Sequence, residues 1–259
     1  HRARAVAPGE VVVVDVRAAE PLDDVRAQWL SQSIRFYQVE PRWWQGLAPI
    51  DVSAAPGPKT LNVVARLTTG RTIERPYAIT IAARTFPARR ITVAPKFADP
   101  PADELPRIEA ERKAVEAIFA SQTPERFWSQ PFIVPVPGAA TSSFGRRTIL
   151  NGQTRGQHTG TDFQAATGTP VVAPNRGRVA LAADQYFPGG TIIIDHGLGV
   201  YSYLAHLSEF SVAEGAVVER GQRIALSGAT GRVTGPHLHW TMRLGSARVD
   251  PLSLVAVLE

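Results

Sequence analysis

Short apolar runs, each closed within a few residues by proline or glycine, set the limits on what this chain can fold into. Between about residues 9 and 95 the segments Val11–Val16, Ile34–Val39, Leu47–Ser53, Leu61–Leu67, Ile73–Ala82 and Arg90–Val93 have strand length and strand composition. Breaks at Pro8-Gly9, Pro21, Pro41, Pro56-Gly57-Pro58, Gly70 and Pro87 fit hairpins and corners, because proline removes a ladder donor and glycine admits positive φ. Leu61-Asn62-Val63, Ala78-Ile79-Thr80-Ile81 and Ile91-Thr92-Val93 alternate with the period of a half-buried strand. Six or seven such strands predict a mainly β fold that begins with an immunoglobulin-like β-sandwich over residues 1–95. Trp29, Phe36, Tyr37, Trp43 and Trp44 are expected in its core rather than on a ligand stripe, given the area each ring buries.

The pattern then changes. Pro95, Pro100, Pro101 and Pro106 mark an extended linker running into a helix. Leu105, Ile108, Val115, Ile118 and Phe119 fall near helical spacing with charged residues opposite, and Ser121–Pro124 ends the run. Residues 96–130 are therefore a linker with one helix, expected to act as a spacer that packs two domains together. From Phe132 strand patterning returns in Thr191–Ile194, Val200–Leu204, Arg223–Leu226 and His239–Leu244. Asp195-His196-Gly197-Leu198-Gly199 joins two of these as a hairpin turn, which gives His196 a structural role. Residues 131–259 form a second β domain.

At 259 residues and 44% apolar content, the chain can bury the cores of two domains. It contains no cysteine, which excludes disulfides and thiolate metal sites, so a transition-metal site must use His, Asp or Glu. The net charge of +5 rests on arginine, since only Lys59, Lys96 and Lys113 are lysines. No tight basic cluster interleaves with aromatics, so nucleic acid is not an expected partner. No apolar run approaches the roughly 18–20 residues of a membrane span. The chain starts at His1 rather than Met, which leaves room for a leader or anchor ahead of it.

Five of the six histidines lie in the second domain. His158-Thr159-Gly160-Thr161-Asp162 sets an imidazole four residues before a carboxylate, and His237-Leu238-His239 sets two imidazoles two apart. On a strand, positions i and i+2 face the same side, so both rings can point into one groove while Leu238, Trp240 and Met242 face the core. Two histidines and one carboxylate make a three-ligand set, typical of a catalytic zinc with one open position. Spacing alone leaves open which of His237 and His239 would bind the metal.

These motifs, together with Ser142-Ser143-Phe144-Gly145, Gly168-Thr169-Pro170-Val171-Val172-Ala173-Pro174, Tyr203-Leu204-Ala205-His206-Leu207-Ser208 and Gly235-Pro236-His237-Leu238-His239-Trp240, resemble the M23 (lysostaphin/LytM-type) peptidase family over roughly residues 138–255. The first domain more loosely resembles the β-sandwich that precedes some exported M23 peptidases. The resemblance implies an antiparallel β catalytic domain of LytM type, with zinc held by His158, Asp162 and His239. It implies that His206 and His237 flank the bound water. Imidazole chemistry near pH 7 suits His237 as base and His206 as orienting or oxyanion-stabilising donor, and the reverse assignment stays open. Packing at a hairpin end is the competing role for His206. No HExxH motif is present, so an imidazole must take the role of base. Some lysostaphin-like members place a tyrosine shortly before the first ligand. Residues 146–157 have none, and Asn151, Gln153 and Arg155 occupy the stretch.

The expected activity is zinc metalloendopeptidase hydrolysis of peptidoglycan stem-peptide cross-links or bridges, by an exported, monomeric protein. The alternative is a non-catalytic LytM-like module that binds cell wall or activates an amidase.

Overall fold

A computed structural model of the chain describes residues 1–91, 100–142, 144–150 and 153–258. Its first six strands are β1 (Val11–Arg17), β2 (Leu22–Trp29), β3 (Gln32–Glu40), β4 (Trp43–Pro49), β5 (Gly57–Leu67) and β6 (Thr72–Ile81). They pair antiparallel in the order β1-β4-β3-β2-β5-β6. In β5 the period of two is plain: Leu61, Val63, Ala65 and Leu67 are buried, whereas Asn62 and Arg66 are exposed. Side chains from all six strands, among them Val12, Trp29, Phe36, Ala48, Leu61 and Ile79, meet in one cluster, so the sheet curls over its own core. Trp29 is fully buried, and its indole Nε1 donates to the Pro49 carbonyl at 2.7 Å.

Three local expectations need correction. β2 is absent from the sequence reading because two aspartates open it and a bulge between Leu22 and Asp24 breaks its alternation. β4 lies at Trp43–Pro49 rather than Leu47–Ser53, because Asp51 closes a turn by accepting from both Ser53 N and Ser53 Oγ. Tyr37 packs outside the first core. Its ring meets Trp128 edge-on at 6.0 Å, under the Arg126 guanidinium at 4.0 Å, and joins the core of the second half. Trp43 lies under Arg17, at 4.4 Å, rather than inside.

β7 (Ala88–Ile91) runs parallel to β9 (Arg147–Leu150), which also pairs with β10 (Gln153–Gln157). The last strand of the first 95 residues thus hydrogen-bonds into the second half. Val93, Ser143 and Asn151 lie outside the described residues.

The remaining strands are β8 (Ala140–Ser142), β11 (Thr161–Gln164), β12 (Pro170–Val172), β13 (Gly177–Gln185), β14 (Gly189–Asp195), β15 (Val200–Phe210), β16 (Val217–Val218), β17 (Arg223–Ser227), β18 (His237–Leu244) and β19 (Ala247–Val249). They form one antiparallel sheet with a main path β16-β13-β14-β15-β18-β11-β8. Its core face carries Phe163, Ile192, Leu204, Leu238, Trp240 and Met242, and each such side chain contributes about 1.5–3 kcal/mol by burial.

Helix α1 (Leu105–Ala120) starts with Pro106 in its first turn, where a missing N–H costs nothing. None of its residues is buried. Its polar and ring contacts run to the second half: Arg107 to Asp184, Glu111 to the Tyr186 amide, and Phe119 edge-on to Tyr201 at 5.5 Å. The expected spacer between two domains is instead a helix laid along the second one.

The two halves share a core, since Val11, Val13 and Leu47 pack among the second half's buried residues. Polar ties reinforce the contact. Val11 N donates to Ser253 Oγ in helix α2 (Pro251–Leu258), Arg4 bridges Glu10 and Asp250, and Arg248 clasps Asp51 through Nε and Nη2. Burial opposes ionisation of Glu10 and Asp51. Hydrogen bonds from Arg4 and Ser253 nonetheless hold Glu10 below the usual carboxylate range, and those from Arg248 and Ser53 bring Asp51 down to about 2. Carboxylates with depressed pKa values in the fold stabilise it fully above their unfolded values, near 4, and lose that contribution as pH falls through the folded values. The melting temperature should therefore drop steeply between pH 4 and 2. In Arg248→Met, that part of the profile should be shallower; an unchanged slope would show that the Asp51 pair does not carry it.

Candidate active site

β11 lies beside β18 in antiparallel register, with Asp162 opposite His239 and Gln164 opposite His237. Leu238, Trp240 and Met242 are fully buried on one face of β18, which turns His237, His239 and Thr241 to the other, as the alternation predicts. His158 follows β10. It is fixed by main-chain bonds on both sides, its N donating to the Arg146 carbonyl and its carbonyl accepting from Gly145 N, each at 2.8 Å.

Three atoms converge. His158 Nε2 is 3.0 Å from Asp162 Oδ1 and 3.1 Å from His239 Nδ1, and the latter two atoms are 2.9 Å apart. Ligand atoms about 2.0–2.1 Å from a tetrahedral zinc lie roughly 3.3 Å from one another, so the triangle has the scale of a metal site. The donor set fits as well. His239 Nε2 sits 2.9 Å from Thr241 Oγ1, and a proton held there when a metal binds would leave the Nδ1 lone pair for the ion. Burial raises the pKa of Asp162, but hydrogen bonds from His158 and His239 outweigh it and hold the group ionised far below the usual range. Burial pushes His239 down, towards the neutral form that a ligand needs.

Thr241 and Gly160 complete the site, and the sequence reading missed both. Thr241 continues the i, i+2 series from His237 and His239, which was the available signal. A Cβ on Gly160 would stand 2.6 Å from His239 Cε1, His239 Nε2 and Thr241 Oγ1, so the ring can lie there only above a glycine. Gly160→Ala should push the imidazole off its Thr241 bond. Lost outer-shell support typically costs about 10–100-fold in metal affinity, and competition with a chelator should read a loss of that order. Unchanged affinity in the alanine variant would remove Gly160 from the site.

His206 and His237 stand beside the triad, their ring centroids 4.7 Å apart, with His206 at 6.0 Å from His239. His206 is within β15 rather than at a hairpin end. The pairing of β14 with β15 spans Gly190–Ile192 on one strand and Leu204–Leu207 on the other, so the extra residue forms a bulge. At that bulge His206 adopts φ +67°, a strained value for a non-glycine residue and one that clusters at functional sites. Its Nδ1 lies 3.0 Å from the Thr230 carbonyl, and His237 Nδ1 lies 2.8 Å from the Gly235 carbonyl. Both rings therefore donate through Nδ1, and Nε2 of His237 lies 3.7 Å from Asp162 Oδ1. Burial, aided by the neighbouring imidazoles of His239 and His237, pushes His206 down to about 3.

His196 is apart from this group, as expected. It is fully buried, bonded to the Arg176 carbonyl and Ser202 Oγ, and burial lowers it to about 4. The triad opens into a groove of about 450 Å³ walled by Val115 and Phe119 of α1, Phe187, Tyr203, Arg232 and Arg243. Tyr203 supplies a phenol from β15, where residues 146–157 supply none. Burial raises its pKa, and its hydroxyl donates to Gln185 Oε1 at 3.2 Å.

Known proteins resemble this chain in sequence and in fold. The family model described as peptidase family M23 matches residues 156–251. A Pseudomonas aeruginosa crystal structure assigned to peptidase M23 is 32% identical, covers 97% of this chain and 96% of its own, and superposes with a TM-score of 0.76. Peptidoglycan DD-endopeptidase ShyA of Vibrio cholerae is 46% identical over 85 residues, 33% of this chain and 20% of that protein. DD-carboxypeptidase/endopeptidase Mpg of Neisseria meningitidis is 41% identical over 114 residues, 44% of this chain and 26% of that protein. The chain thus spans about a quarter or less of the length of these two curated relatives.

Proposed function

The chain belongs to peptidase family M23, and from that premise we propose that it is a zinc metalloendopeptidase hydrolysing peptide bonds of peptidoglycan, at stem-peptide cross-links or bridges, outside the cytoplasm. The observation that carries this reading is the convergence of His158 Nε2, Asp162 Oδ1 and His239 Nδ1 in a groove that also presents two unligated imidazoles. The relatives' named peptidoglycan activities supply the substrate class. No helix among the described residues is long and apolar enough to cross a membrane.

Borderline-soft imidazole with a carboxylate suits zinc, and no thiolate competes. Zinc held there would supply Lewis acidity and bring the pKa of water down towards about 7. The protein's own part follows from the two pinned rings. His206, bonded through Nδ1–H to Thr230, offers Nε2 as a proton acceptor. Its depressed pKa keeps it neutral near pH 7, which suits a base and not a charged donor. His237 Nε2 is 3.7 Å from Asp162 Oδ1, and His237 is the more accessible of the two rings, so it is the one to carry a proton towards the developing oxyanion or the leaving amine. This reverses the order read from the sequence.

Mass spectrometry of purified peptidoglycan incubated with the zinc-loaded protein tests the proposal and identifies the bond. Monomeric stem peptides released from cross-linked material are expected. Intact cross-links after prolonged incubation would favour the non-catalytic cell-wall-binding or amidase-activating alternative.

A further inference from the structure

Four arginines line the groove, and three are engaged. Arg248 is clasped by Asp51, Arg232 lies over the Phe187 ring at 4.7 Å, and Arg146 interacts with a neighbour. Arg243 differs. Its guanidinium makes no hydrogen bond or salt bridge among the described residues, and its Nε is buried without a partner. The Phe119 ring of α1 covers one face of it at 4.6 Å. Burial and then the charge of Arg248 disfavour its protonated form; Asp51 and Glu116 act on it only through space, without a hydrogen bond or salt bridge, and do not outweigh them. A partly buried cation without a partner is costly, and such sites persist where an anion completes them.

Its position gives this guanidinium a use. Arg243 is on β18, on the same face as His237, His239 and Thr241. It is four residues beyond His239, which is about 13 Å at the rise of a strand. Stacking on Phe119 leaves the edge of the guanidinium for an in-plane, bidentate contact, the geometry that arginine makes with carboxylates. We propose that Arg243 anchors a carboxylate of the peptide substrate, a few residues from the reacting bond, in the arm of the groove walled by Phe119. The inference rests on the peptidase reading for the identity of the substrate. The carboxylate is either the C-terminus of a stem peptide or one of its side branches.

The test is binding of a fluorescently labelled stem tetrapeptide to the full chain, held metal-free by chelator so that turnover does not intervene. Three forms are compared: all carboxylates free, only the C-terminus amidated, and only the side branches amidated. The free form should bind roughly 10- to 100-fold more tightly than one of the amidated forms, and that form identifies the carboxylate. Arg243→Gln should erase the difference, and Arg243→Lys, which keeps charge but not the fork, should retain only part of it. Melting curves check both variants, and if the glutamine variant fails to fold the lysine variant decides alone. Equal affinity for all three forms, or full discrimination in either folded variant, overturns the proposal. Discrimination in a protein that cuts no peptidoglycan would sink the hydrolase reading and leave the subsite standing, whereas cleavage without discrimination would do the opposite.

Discussion

Asp162→Ala is expected to release the metal and reduce hydrolysis to background. Asp162 Oδ1 is within 3.0 Å of both His158 Nε2 and His239 Nδ1, so the carboxylate closes the ligand triangle and supplies its only negative charge. Removing it leaves only two imidazoles, and the loss should exceed the about 10–100-fold that follows loss of an outer-shell partner. Turnover should fall by at least about 10³-fold, because the activated water depends on the metal. The fold should survive. Some stability is lost with the carboxylate, because burial opposes its charge but the bonds from His158 and His239 outweigh that and hold it ionised in the fold. Metal analysis after dialysis, with circular dichroism on the same sample, checks both halves. Full metal stoichiometry in this variant would remove Asp162 from the ligand set.

His206→Ala and His237→Ala should behave in the opposite way, keeping the metal while losing turnover. Neither ring belongs to the triangle, and each is held by a backbone carbonyl through Nδ1. Loss of an acid–base group typically costs about 10²–10⁴-fold in rate, about 3–5 kcal/mol in transition-state stabilisation, with little change in ground-state binding. If the two imidazoles act as one unit, the double variant should be scarcely worse than either single one. Steady-state kinetics on a soluble cross-linked peptide, with metal content measured alongside, provides the readout. Metal lost from His237→Ala and kept in His239→Ala would mean that the pair is assigned the wrong way round. Near-normal turnover in both would leave hydrolysis to some other group.

Much of the site was legible because its geometry is periodic. His237 and His239 occupy alternate positions of a strand whose intervening residues are Leu238, Trp240 and Met242, and that pattern alone turns both imidazoles to one side. The ligand set needed more, since Asp162 reaches His239 through the pairing of β11 with β18, a contact between residues 77 apart that no local pattern encodes. The family resemblance provided it. What the sequence concealed arises where tertiary contact overrides pattern. Helix α1 has apolar residues at helical spacing, yet none is buried, because Val115 and Phe119 wall the groove instead of entering a core. Tyr37 reads as one more aromatic of the first domain, but its ring faces Trp128 across the boundary between the halves. The bulge that strains His206 depends on one extra residue in β15 relative to β14, which is visible only once the register is known.

One zinc is expected here, held through two imidazoles and a carboxylate, with no sulfur and one position left for water. X-ray absorption at the zinc edge of the reconstituted protein tests it most directly. One zinc per chain is expected, with nitrogen and oxygen as its only neighbours and multiple-scattering features of two imidazoles that fall to one in His158→Ala. A shell of six oxygens without imidazole scattering, or a spectrum unchanged by that substitution, would contradict it.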